Sequence, residues 1–187
     1  LSKASMTYDR SRLEEDFRAK ARLKFVFFWG HQPAKDGRIT TSCFSQWWPA
    51  PFDVAGVRYP TAEHWMMAGK ARLFGDGQSL SEILMATSPK QAKQLGREVK
   101  GFESSQWDAQ KYHIVTEGSI HKFDQNPALR KFLLSTGDAV LVEASPVDRV
   151  WGIGLAGDDD RAGNPLLWRG ENLLGFALMQ ARDHLRG

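Results

Sequence analysis

Residues Pro60 to Lys70 read P-T-A-E-H-W-M-M-A-G-K, and the rest of the chain is best understood outward from them. Pro60 holds the residue before it in extended backbone, and Thr61 is suited to capping free backbone N–H groups, so a helix starts here. Glu63 falls in the first turn, where the helix dipole favours a carboxylate. Lys70 follows seven residues later, close to two turns, which sets both side chains on one face about 10 Å apart along the axis. Met67 lies between them on that face and Met66 borders it. Spacing alone allows a solvated face carrying unrelated charges. The run Trp65 to Ala68 is too apolar for an exposed helix, however, so Lys70 borders buried surface. Desolvation there lowers a lysine's pKa and frees its lone pair. His64 reads as a hydrogen-bonded packing residue rather than a base.

Upstream, residues 8–23 are rich in Arg, Glu, Lys and Ala, with Leu13, Phe17 and Leu23 at roughly helical spacing. They form an amphipathic N-terminal extension (residues 1–24) with Thr7 as its candidate cap. Phe25 to Trp29 is a short apolar run suited to a buried strand. Residues 30–41 read as a loop, and Phe52 to Tyr59 as a hairpin turning at Ala55-Gly56. Downstream, helices are expected over 61–74, 78–85, 89–99, 105–122 and 127–134. In Ser88-Pro89 and Asn126-Pro127 the first residue caps and the proline takes the first helical position. Ala139 to Ala144 reads as a strand, 149–162 as a Gly- and Asp-rich loop, and Leu173 to Leu185 as a closing helix. The fold class is α+β, a helix-rich single domain (residues 25–187) with a few short strands.

Composition narrows the function. The 187 residues are 42% hydrophobic and 25% charged, a globular balance. No apolar run approaches the roughly 20 residues that span a bilayer, and no signal-peptide pattern opens the chain. The lone cysteine, Cys43, suits a reducing compartment, and the expected location is cytoplasmic. A net charge of +3 with interspersed signs argues against a long nucleic-acid groove and leaves room for one phosphorylated ligand. Metal chemistry is disfavoured: there is no H-E-x-x-H, cysteine pair or dense carboxylate cluster. The G-I-G-L-A-G run (Gly152 to Gly157) lacks a following helix, so the dinucleotide fingerprint fails. Seven tryptophans are a large number for this length. Most suit core packing, but on a strand the Trp47-Trp48 doublet faces both sides, which directs one ring toward a pocket.

Several blocks in order are similar to the YbiA-like, or NADAR, family of N-glycosidases. They are F-S-Q-W-W-P-A-P-F (Phe44 to Phe52), G-V-R-Y-P-T-A-E-H-W-M-M-A-G-K (Gly56 to Lys70) and K-F (Lys122, Phe123). L-L-S-T-G-D (Leu133 to Asp138), L-V-E-A-S-P-V-D-R-V-W-G-I-G (Leu141 to Gly154) and N-L-L-G-F-A-L-M-Q-A-R (Asn172 to Arg182) complete the series. The resemblance implies a YbiA-like fold and hydrolysis of a bond between ribose and an exocyclic base nitrogen. Its implied substrates are small-molecule ribosylamino-pyrimidine phosphates of riboflavin biosynthesis, or guanine carrying ADP-ribose, free or on nucleic acid, with no cofactor and no membrane partner. Such a glycosylamine ring-opens to an imine, which a neutral lysine can attack.

Carried onto this chain, the resemblance implies Lys70 as nucleophile and Glu63 as proton shuttle. Trp151 and Trp48 would stack on base or ribose. Glu143 and Asp148 would bond ribose hydroxyls or hold Lys70, and Asn172 would touch ligand or cap the last helix. Phe44, Ser45 and Gly152 complete the implied binding set. Gln46 stands where relatives have Asn, Trp47 where they have Phe or Tyr, and W-M-M-A-G-K where they read Y-F-Q-A-Q-K. Met67 and Gly69 therefore make this site more apolar. Arg58, Arg72, Arg149 and Arg182 are unranked phosphate candidates. Two competing classes are a non-catalytic ADP-ribose-binding module and a Cys43 nucleophile paired with a histidine such as His64.

Overall fold

The computed structural model describes residues 8–187. It divides into two compact units, one of residues 46–127 and one of residues 8–45 and 128–187. Thr7 lies outside the described residues. Asp9 caps α1 (Arg10–Arg18), its carboxylate accepting from the Arg12 N–H.

The first unit opens with an antiparallel hairpin, β1 (Phe52–Val54) and β2 (Val57–Tyr59), with Phe52 opposite Tyr59. Its two turn residues, Ala55 and Gly56, have φ of 50° and 78°, the positive values that a tight hairpin turn of matching twist requires. Four helices follow: α2 (Ala62–Leu73), α3 (Gly77–Met85), α4 (Pro89–Arg97) and α5 (Ser104–Asp124). Thr61 and Ser88 cap α2 and α4 as expected, and Pro89 takes the first turn of α4. Asp76 caps α3 and also accepts from Ser79 Oγ and from the Lys100 N–H. Those bonds lower its pKa to about 2.

Helix α2 is the hub of this unit. Ala62, Met66, Met67, Ala68 and Ala71 are all buried, and α3, α4 and α5 each pack on it. A helix enclosed in this way needs small residues where backbones approach. Gly96 leaves the space that Met67 fills, Gly118 the space for the Trp65 ring, and Gly69 the space for Ile114. The Trp65 indole then donates to the Ile114 carbonyl at 2.7 Å. At the far end of α5, Gln125 exchanges two 2.9 Å hydrogen bonds with the backbone of Asp53. Asn126 donates to Pro51 O and Lys122 O.

The second unit is built on a parallel pair of strands, β3 and β4. Because chain order interleaves the units, β3 denotes Phe25–Phe28 and β4 denotes Val140–Glu143, with Phe25 opposite Val140 and Phe28 opposite Glu143. Only Phe28 is fully buried in β3, and Trp29 is 61% exposed. The expected strand ends one residue early because Gly30, at φ 77°, turns the chain away. Helices α6 (Pro127–Ser135) and α7 (Leu173–Arg186) complete this unit. Cys43 lies buried in a 3-10 turn over Thr41–Phe44. Trp47 and Trp48 lie in the turn after it, not on a strand.

Strand β4 has β3 on one side only, so its other edge must be satisfied differently. Asn172 does this with one side chain. Its Oδ1 accepts from the Glu143 N–H and its Nδ2 donates to Leu141 O, both at 2.9 Å. The residue is fully buried at φ 56°, a left-handed position that asparagine tolerates. It occupies the N-cap position of α7 but makes no side-chain capping bond. Gly175 lets α7 approach Leu141 O too closely for any Cβ. Asn172→Ala strands one buried donor and one buried acceptor. It should therefore cost about 2–6 kcal/mol, measured by urea denaturation, at about 1–3 kcal/mol for each group.

Candidate functional site

In the first unit the candidate residues gather on α2. Glu63 is 3% exposed, in the first turn, and its backbone N–H donates to Gln46 O at 3.0 Å. That bond ties the turn to the segment carrying Gln46, Trp47 and Trp48. The two tryptophans are half-buried, and the Lys93 ammonium lies 5.8 Å from the Trp47 ring centre. His64 is 1% exposed. Its Nε2 lies 3.0 Å from Ala86 O and must donate, since a carbonyl only accepts; Nδ1 then accepts from Thr61 Oγ1 at 2.8 Å. Both ring nitrogens are thus used in packing, as expected for His64.

Lys70 is partly buried, and burial lowers its pKa, the direction that nucleophilic attack requires. Its ammonium donates to Gly96 O at 2.7 Å and lies 4.3 Å and 5.7 Å from the ring centres of Phe102 and Trp107. These acceptors draw the Lys70 head toward α4 and the start of α5, about 10 Å along the helix from Glu63. Neither Phe102 nor Trp107 was expected near it. Both lie more than thirty positions away, and only the packing of α4 and α5 on α2 brings them there. Lys122, on α5, is 1% exposed and likewise escapes a reading by sequence spacing.

In the second unit, Phe44 is fully buried between Phe28 and Phe132, each ring centre 5.5 Å away. Ser45 follows it, half-buried. Asp148 turns its Oδ1 onto the N–H groups of Val150 and Trp151, both at 2.8 Å, which fixes the loop carrying the half-buried Trp151. Gly152 is required by close approach: a Cβ there would lie 2.8 Å from Glu143 O and 3.1 Å from Asp148 O. Backbone bonds from Glu171, Asn172, Leu173 and Leu174 to Arg149, Gly152, Val150 and Trp151 hold the loop against the start of α7. Glu143 ends β4, half-buried.

The four arginines can now be separated. Arg182 is 1% exposed and donates to Thr136 Oγ1 and Ala139 O at 2.8 Å, a structural role. Arg72 donates to the Tyr59 hydroxyl. Arg58 pairs with Asp53 at the surface, and Arg149 is exposed. Among the described residues, no group of three or more His, Cys, Asp or Glu is placed to hold a metal ion. No described helix is long and apolar enough to cross a membrane.

Residues 27–186 match the NADAR domain family. An N-glycosidase of Acanthamoeba polyphaga mimivirus is 43% identical over 165 residues, covering 86% of this chain and 95% of that protein. N-glycosidase YbiA of Escherichia coli K12 is 33% identical, covering 77% and 79% respectively. The NMR structure of Escherichia coli YbiA superposes with a TM-score of 0.69 at 29% identity, covering 87% of this chain and 85% of that one. The chain therefore belongs to the NADAR family and has its helix-rich α+β fold. It is an enzyme of the N-glycosidase class.

The buried His64 ring has a pH consequence. Burial lowers its pKa below the ordinary value of 6.5, against the smaller opposing effect of the Ala86 bond. Below pH 6.5 the unfolded chain binds a proton that the folded ring refuses, so stability falls as pH drops through that value. The slope attributable to this group is at most about 1.4 kcal/mol per pH unit. Urea midpoints measured from pH 8 to pH 5 should decline below 6.5, and His64→Gln should flatten that decline.

Proposed function

We propose that this N-glycosidase hydrolyses the bond between a phosphorylated ribose and an exocyclic base nitrogen. The ribose is a 5-phosphate or the ribose of ADP-ribose. Its substrates are then ribosylamino-pyrimidine phosphates of riboflavin biosynthesis, or guanine bearing ADP-ribose. The observation that carries the reading is Glu63: a carboxylate almost wholly buried in the first turn of the enclosed helix α2, in a family that includes N-glycosidases. A group so placed is suited to moving a proton rather than to solvating a surface.

In this reading a lysine amine attacks C1′ of the ring-opened sugar, and the base leaves as a free amine while the sugar stays bound as an imine. Glu63 relays protons to the departing nitrogen, and water then releases the sugar as its aldehyde. Lys70 is the amine nominated by sequence, supported by its lowered pKa. Trp48 and Trp151 stack on base or ribose. Phe44, Ser45, Glu143, Asp148, Gly152 and Asn172 shape and hold the binding surface, the buried ones through the backbone they fix. No cofactor is needed, and the expected setting is the cytoplasm.

The test is an assay of purified protein against both substrate types, with mass detection of the released base. Glu63→Gln should lower kcat by about 10²–10⁴-fold with KM little changed. Borohydride added during turnover should trap one ribose unit per chain. Turnover without any trapped adduct would replace the imine with direct attack by water on an oxocarbenium-like state.

A further inference from the structure

Helix α1 precedes residues 27–186, the part of the chain that matches the family domain, yet it reaches the backbone that supports the Trp151 loop. Arg10 makes the contact: its Nη1 donates to Gly170 O at 3.2 Å. Its Nε donates to one oxygen of Glu14 at 2.8 Å, and Arg18 donates to the other at 3.2 Å. Glu14 thereby fixes the plane of the Arg10 guanidinium, whose donors form a rigid fork. The Arg10 and Glu14 side chains are only 22% and 20% exposed, so solvent screens the pair less than it would at an open surface. Gly170 is buried, and among the described residues Arg10 is the only donor to its carbonyl. Without that donor a buried acceptor is left unpaired, which the backbone around it must relieve by shifting.

Gly170 sits where residues 169–172 pack on residues 149–153. A Cβ on it would overlap Gly152 O and lie 2.8 Å from Arg149 Cα, so only glycine fits. On either side of it, the Arg169 N–H donates to Ile153 O at 2.9 Å and the Glu171 N–H to Arg149 O at 3.0 Å. The Asn172 N–H adds a bond to Gly152 O at 3.1 Å. Arg10 therefore grips the middle of the segment on which the Trp151 loop rests. The chain just before α1 has a separate anchor, the Tyr8 hydroxyl, which donates to Asp183 on α7.

We propose that Arg10 is a positioning residue for the ligand: by holding Gly170 O it sets the loop from which Trp151 stacks on base or ribose. This rests on the stacking role given to Trp151 above. Arg10 acts through the backbone and not on the reacting atoms, so it governs ligand affinity rather than the chemical step.

The test compares two variants of the full chain. Arg10→Met keeps an apolar stem and removes every donor, whereas Tyr8→Phe removes only the other anchor. Hydrogen exchange is read by mass spectrometry on peptides covering residues 148–154. Arg10→Met should exchange there at least about fivefold faster than wild type, and Tyr8→Phe at the wild-type rate. With ADP-ribosylated guanine or a ribosylamino-pyrimidine phosphate as substrate, Arg10→Met should raise KM about 3–10-fold, part of what stacking on an aromatic ring contributes. Its kcat should stay within about twofold of wild type. In a Trp151→Ala background Arg10→Met should add nothing further to KM. Wild-type loop exchange in a folded Arg10→Met variant overturns the proposal, as does equal acceleration by Tyr8→Phe, or a KM effect that persists undiminished without the Trp151 ring. An unchanged KM in Trp151→Ala alone overturns the stacking reading instead, and the exchange rates still decide whether Arg10 holds the loop.

Discussion

The enclosure of α2 is the constraint on which the first unit depends. A helix with seven of its twelve residues buried and three other helices packed on it has no single apolar stripe to arrange it, so its neighbours are set by shape. Three glycines do this: Gly69 within α2, Gly96 on α4 and Gly118 on α5 give space to Ile114, Met67 and Trp65. Each contact fixes a register, and the registers decide which polar groups share a level. The same enclosure forces His64 to spend both ring nitrogens on fixed partners, because a buried polar group without one carries a penalty.

The second unit meets a related problem at a strand edge. A two-stranded parallel pair leaves one edge of β4 without a strand partner, and the chain supplies substitutes in place of a third strand. The amide of Asn172 covers Leu141 and Glu143, and the Ile153 N–H covers Glu143 O. Gly152 and Gly175 allow the backbone to come that close. The loop bearing Asp148 and Trp151 is therefore held by the same bonds that finish the sheet, which couples its order to the stability of the core.

The departures from the family pattern acquire physical sense from this packing. Met67, where relatives carry glutamine, fills the space beside Gly96 and so belongs to the α2–α4 contact. Gly69, also glutamine in relatives, makes room for Ile114 on α5. Both positions face neighbouring helices, so the polar side chains they replace are exchanged for close helix packing rather than simply lost from an open surface.

Much of the architecture was legible in the chain itself, because its signals are local. Thr61, Ser88 and Pro89 mark helix starts through their own backbone preferences, Ala55-Gly56 marks a hairpin turn, and the V-L-V-E run marks β4. Family membership was legible too, since blocks in order survive changes in the residues between them. Tertiary structure alone decided the rest. It placed Trp47-Trp48 in a turn and Cys43 in a 3-10 turn, exposed Trp29, and made Asn172 a stitch along β4. It also carried the Lys70 head to Gly96, Phe102 and Trp107, and buried Lys122. The reason is distance along the chain: helix spacing relates residues a few positions apart, whereas Lys70 meets Gly96 and Trp107 only through the glycine-set packing of separate helices.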